Sequence, residues 1–222
     1  MNAGFWKRAF SSVVDASLIL LIIYLTFLAF GRKIITNQIT NFDNIYSTYQ
    51  EISSASNANL SLLADEYNAA IVNADGDSDL EDAAQATYVA KKAVISDQRI
   101  LDIAPYNTAL TMFLLYISYY YIVGFLLLLT VYVLAMKGYT LGRRLMQVKL
   151  EGPVHAASIF FHDVILKYFF VAIALMLDLR IGILFIATFL IIDLITISFT
   201  GKKAALRDMI LKMRVVTTGY KY

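Results

Sequence analysis

Apolar residues run almost unbroken over residues 9–30, 108–136 and 181–199. A further stretch opens at Pro153, is amphipathic from His155 to Lys167 and is fully apolar to Leu177. A helix needs about 20 apolar residues to cross a hydrocarbon core, so this pattern predicts four transmembrane helices. The run at 108–136 exceeds that length and predicts a tilted or projecting helix, with Tyr116, Tyr119, Tyr120 and Tyr121 as anchors at one interface. Residues 31–107 read differently. They are rich in Asn, Ser, Ala and Asp, and their apolar positions recur at steps of three and four: Ile39, Phe42, Ile45, Tyr46 and Tyr49, then Leu60, Leu63 and Tyr67. That period predicts amphipathic helices. They reverse near Asp75–Asp79, and a second helix runs from about Leu80 to Ile103, bounded by Pro105.

Orientation follows from Lys and Arg in short loops. Lys7 and Arg8 share one side with the basic loop 137–152, which carries Lys137, Arg143, Arg144 and Lys149. Lys202, Lys203, Arg207, Lys212, Arg214 and Lys221 fall on that side too, whereas the tight turn at Asp178 carries only Arg180. The segment 31–107 is more acidic than basic, and a long domain crosses regardless of charge. The fold class expected is therefore an all-α membrane protein: four transmembrane helices, N and C termini cytoplasmic, with an extracytoplasmic helical hairpin between helices 1 and 2. Residues 1–30 and 108–222 form one membrane domain, interrupted by the insertion 31–107. A basic start before an apolar run also opens a signal peptide, but 9–30 is too long for that and no small-x-small site follows Phe30, so a retained helix is expected.

Composition supports the assignment to lipid. The 222 residues are 59% hydrophobic and 16% charged, and the mean hydropathy is +0.64, against about 25% charged residues in soluble domains. Continuous apolar runs exclude a barrel of alternating strands. The absence of cysteine removes disulfides, thiolate chemistry and Cys-based zinc sites.

Ionisable groups inside spans are costly and mark function or packing. Arg8 and Asp15 are two helical turns apart on one face, about 10 Å along the axis, with Ser11 and Ser12 close to the same stripe. Asp15 and Asp193 each lie about six residues from the cytoplasmic end of their helices, at similar depth. Asp163 and Lys167, spaced i, i+4 with the acid first, suit a supporting ion pair. All of these groups are compatible with one polar cavity or with pairings that only hold the bundle in register. His155 and His162 share a face but lack a partner at ligand spacing, so interfacial histidines are expected and no metal. The acidic turn from Asp75 to Asp82 fails the EF-hand pattern, since Leu80 and Ala86 occupy the positions that need Gly and Glu. No nucleophile–base pair, phosphate loop or metal-protease helix is present, so no enzyme and no cofactor are expected. The basic loops face anionic lipid headgroups, and nucleic acid has no separate support.

Three motifs carry a family likeness. Gly4-Phe-Trp-Lys-Arg-Ala-Phe10 with Val13-Val-Asp15 resembles the opening of RDD-family membrane proteins, named for an arginine, an aspartate and a further aspartate. Thr140-Leu-Gly-Arg-Arg-Leu145 with Val148-Lys-Leu resembles the family's segment after its second helix. Ala205-Leu-Arg-Asp208 with Val215-Val216 resembles its closing segment, with Arg207 in place of the usual histidine. The resemblance covers roughly 4–30 and 108–216 and implies Arg8, Asp15 and Asp208 as the family residues, with Asp193 an alternative for the last. It also implies a multi-pass membrane protein whose relatives are proposed to be transporters, with cation/proton antiport suggested for some. A small transporter binding a cation or proton at Asp15 and Asp193 or Asp208 is one expectation, and with four helices it favours a homo-oligomer. The other is a non-transporting scaffold or sensor whose insertion 31–107 binds an extracytoplasmic protein partner.

Overall fold

The computed structural model describes residues 2–199 and 204–218. Among these, four helices are long and apolar enough to cross a membrane: Phe5–Thr36, Ser78–Ala135, Ala156–Leu177 and Leu179–Phe199. Gly201, Lys202, Lys203 and Lys221, read from the sequence as a stop signal and basic tail, lie outside the described residues. The chain divides into two compact units, Met1–Arg32 with Ile117–Tyr222, and Lys33–Tyr116.

Helix α1 (Phe5–Thr26) belongs to the first unit and passes through a π-helical turn at Phe27–Gly31 into α2 (Arg32–Thr36). The buried residues of α1 are Arg8, Ser11, Asp15, Ile19 and Ile23, one stripe at helical spacing. The polar half of that stripe builds the site below. The apolar half packs Ile19 and Ile23 with Leu129 and Val133 of α5 (Asn107–Ala135) and with Ile159 and Val164. Trp6, Phe10, Leu21 and Leu25 on the other faces are exposed, as in a lipid-facing helix.

The third apolar stretch starts at Ala156, three residues later than the sequence pattern predicts, because Pro153 sits in the preceding turn. It runs as α7 (Ala156–Phe160), a π-helix over Phe161–Phe169 and α8 (Phe170–Leu177). A tight turn at Asp178 leads into α9 (Leu179–Phe199), with the Asp178 carboxylate accepting from Arg180 N at 2.7 Å and Ile181 N at 3.3 Å. That is ordinary N-cap chemistry.

The segment 137–152, expected as a basic loop, is more structured than its sequence suggests. It forms a short helix α6 (Leu141–Leu145) and a strand β1 (Val148–Glu151), which pairs antiparallel with β2 (Arg214–Thr217) beyond helix α10 (Leu206–Ile210). Asn2 bridges Val216, and Ala3 N donates to Val215 O at 2.8 Å, so the extreme N-terminal residues join the same edge. Ala3, Val148, Leu150, Met213 and Val215 bury together beneath it. Four-residue strands carry only one or two apolar alternations, too few to register as a period.

The second unit is a hairpin of α3 (Phe42–Ala74) and α4 (Ser78–Ile103). The chain reverses at Asp75 and Gly76, both at positive φ, and Asp77 caps α4 through Asp79 N at 3.0 Å and Leu80 N at 3.3 Å. The Tyr67 and Tyr88 rings meet across the pair at 4.9 Å.

Candidate functional site

Arg8 sits near the start of α1, where its side chain reaches the sheet and the C-terminal segment. Its Nε donates to Ala3 O at 2.9 Å, one terminal nitrogen donates to Asp208 Oδ2, and the other to Val215 O at 3.3 Å. Asp208 is the third residue of α10 and reaches back to accept from Ala205 N at 3.1 Å, one half of a capping box. The salt bridge between Arg8 and Asp208 is buried on both sides. Burial alone pushes the Asp208 carboxyl up, but the hydrogen bond from His162 and the charge of Arg8 outweigh it and hold the carboxyl down at about 2.

His162 is the residue that ties this pair to the rest of the molecule. It is 1% exposed, with Nε2 at 2.8 Å from Asp208 Oδ1 and Nδ1 at 2.7 Å from Asp163 Oδ1. Asp163 in turn receives a bidentate grip from Arg143, at 2.8 Å to Oδ2 and 2.5 Å to Oδ1. Arg143 also donates to Gly138 O. One unbroken chain therefore runs Arg8–Asp208–His162–Asp163–Arg143, drawn from α1, α10, the π-helix and α6. Interior π-helical segments are rare and gather at functional sites, and this one supplies both His162 and Asp163.

Asp15 takes no part in that chain. Its Oδ1 accepts from Tyr132 Oη at 2.9 Å and Gly142 N at 2.8 Å, and its Oδ2 from Thr140 Oγ1 at 2.6 Å. Tyr132 Oη also accepts from Leu141 N at 2.6 Å, and Thr140 caps α6. The approach needs glycine at position 142, where a Cβ would lie 2.1 Å from Ser11 O and 2.9 Å from the Asp15 carboxyl carbon. The T-x-G motif thus delivers a hydroxyl and a backbone N–H to one carboxylate.

A small cavity of about 30 Å³ lies between these groups, lined by Arg8, Asp15, Arg143, His162, Asp163 and Lys167 among others. A water needs roughly 10–15 Å³ measured this way, so the space suits one or two. Lys167 does not make the ion pair with Asp163 that its i, i+4 spacing suggests. Its ammonium stands 4.7 Å from the centre of the Tyr168 ring, with no carboxylate in ion-pair reach among the described residues. The planar, bidentate Arg143 has taken Asp163 instead. Asp193 does not line the cavity with Asp15 either; it pairs with Arg207 at 2.6 Å. Burial opposes the charge on Arg207, but Asp193 and Asp208 raise its guanidinium above the ordinary value. Arg144 is exposed and lies 5.1 Å from the Tyr139 ring centre. Of the tyrosine anchors, Tyr120 has a further role, donating to Thr26 Oγ1 at 2.9 Å.

The expectation of two interfacial histidines is corrected for one of them. His155 is exposed, with its ring Nε2 2.9 Å from Ser158 Oγ, while His162 is buried at the centre of the network. Its step of seven from His155 hid this; the adjacent Asp163 was the local signal. Arg143, read as part of a basic loop facing lipid, is a buried member of the same chain.

The sequence matches the RDD family over residues 2–212. No curated protein and no solved structure matches it.

Proposed function

This chain belongs to the RDD family, and on that premise we propose that it is a small cation or proton carrier of the cell membrane rather than an enzyme. In this reading both termini face the cytoplasm, residues 31–107 lie outside, and two or more copies act together. The observation that supports transport best is the polar cavity itself. It places Asp15 and Asp163 against Arg8, Arg143, His162 and Lys167 in a chain with four helices long and apolar enough to cross a membrane. Groups so expensive to bury in a membrane often mark the paths of ions or protons. Exposed Arg144 and its basic neighbours meet anionic headgroups on the cytoplasmic side.

The test is ion flux in proteoliposomes, wild type beside Asp15→Asn. Protons should move against an imposed cation gradient in the wild type and much less in the variant. No proton movement with any cation removes the carrier reading. Topology is checked separately. The chain has no cysteine, so single cysteines at positions 59 and 144 should react with an impermeant reagent from opposite sides.

A second reading, a scaffold or sensor, rests on the exposed apolar side chains of the hairpin, such as Leu62, Val72 and Val94. Here the hairpin binds an extracytoplasmic protein. Cross-linked partners that persist after deleting residues 38–103 would rule it out.

A further inference from the structure

His162 presents a problem of hydrogen-bond arithmetic. Both ring nitrogens are within 2.8 Å of a carboxylate oxygen, Nδ1 to Asp163 and Nε2 to Asp208. A neutral imidazole has one N–H and one lone pair, whereas an ionised carboxylate only accepts. Two carboxylates and a neutral ring therefore leave one contact as lone pair against lone pair, in a place 1% exposed. Unrelieved contacts of that kind are too costly to bury. One additional proton on the ring removes the conflict and makes both contacts charge-assisted.

The surrounding charges agree. From α1, α6 and α10 come the guanidiniums of Arg8, Arg143 and Arg207, which stay protonated. Facing them are Asp15 of α1, Asp163 of the π-helix, Asp193 of α9 and Asp208 of α10. The carboxylates outnumber the guanidiniums by one, and both Lys167 and His162 line the cavity, so the choice of the further cation rests on contacts and not on the count. Lys167 is the competing candidate, but it has no acidic partner within ion-pair distance among the described residues. His162 has two.

We propose that this site binds a proton, held on the His162 ring between Asp163 and Asp208, and that a proton rather than a metal cation is the ion it handles. The proposal rests on the carrier reading above for its role in transport, but the proton site itself does not require flux. Metal binding is disfavoured because the oxygens are already taken. Asp163 is shared by His162 and both terminal nitrogens of Arg143, and Asp208 by His162, Arg8 and Ala205 N. Each of those partners is a donor that a metal would have to displace. A water in the cavity that His162 lines would accept the proton. On release, water takes the proton and the neutral ring keeps one N–H. It then holds Asp163 or Asp208 but not both, and where Asp208 is the one released the junction between the π-helix and α10 loosens. Binding and release are thereby coupled to the packing of the C-terminal segment.

The decisive measurement uses the full-length protein in lipid nanodiscs, labelled with ¹⁵N-histidine and carrying His155→Gln so that His162 is the single histidine. His155 is exposed and outside the network, so this change leaves the site intact. Both ring nitrogens of His162 should read as protonated at neutral pH, and one should become bare as the pH is raised. A bare ring nitrogen at neutral pH overturns the proposal. In proteoliposomes, His162→Gln should lose proton flux; flux equal to wild type in that variant overturns the assignment of this proton as the ion the protein handles. A doubly protonated ring without flux in the wild type refutes the carrier reading and leaves the proton site standing. Flux in the wild type with a bare ring nitrogen does the reverse.

Discussion

In the unit formed by Met1–Arg32 and Ile117–Tyr222, Arg8, Asp15, Arg143, His162, Asp163 and Asp208 are all buried. In the unit Lys33–Tyr116, the buried polar residue among those described is Ser56, and no charged residue among them is buried; Lys91 and Glu66, for example, pair at 2.8 Å on the surface. Both units are mainly helical and both contain amphipathic segments. They differ in what the helices bury. The hairpin needs only an apolar seam, whereas the other unit surrounds its charges with partners drawn from distant parts of the chain. Removing a charge should therefore matter greatly in one unit and little in the other.

The largest effect is expected from Asp208→Ala, which leaves Arg8 and His162 facing an empty place. Losing one partner of a buried pair costs about 3–5 kcal/mol, and thermal unfolding of the purified protein in detergent should show it. Acid should act on the same contact. Asp208 is held at about 2 in the folded chain, below the unfolded carboxyl value of about 3.9. Its contribution is thus complete above about pH 4 and is lost as the pH falls toward about 2. An unfolding temperature unchanged across that window would break the comparison, since the hairpin has no buried carboxylate among its described residues.

Next comes Gly142→Ala, where the new methyl would meet Ser11 O at 2.1 Å. Overpacking of this kind costs about 1–3 kcal/mol, and it should also separate Asp15 from the Gly142 N–H, visible as faster amide exchange in α6. In the hairpin, Asp77→Ala removes the α4 cap and should cost about 1 kcal/mol, with flux unaffected. Smallest is Lys91→Ala. An exposed pair contributes at most about 1 kcal/mol, so its melting curve should nearly overlay the wild type. A large loss there would mean that the hairpin also depends on its charges.

How much of this was legible beforehand differs between the units. The long helices and the hairpin reversal at Asp75–Asp77 follow from local periodicity and turn residues, and they fall close to where the pattern puts them. Arg8, Asp15 and Asp193 stood out because charges in or beside apolar runs are conspicuous, and Asp208 was implied by the resemblance of its closing segment to the family. Their partners did not. Asp163 goes to Arg143 rather than Lys167, and Asp193 to Arg207 rather than to a cavity shared with Asp15.

What the sequence determined alone is therefore the set of apolar helices, the exposed amphipathic hairpin and the presence of charges too costly to leave unpaired. Those properties depend on neighbours a few residues away. The tertiary structure decided which charge meets which, that 148–151 and 214–217 form a sheet, and that His162 rather than His155 is enclosed. The reason is sequence distance. The contacts of His162 with Asp208, Arg8 with Asp208 and Asp15 with Gly142 span 46, 200 and 127 residues, and no local period records a partner so far along the chain.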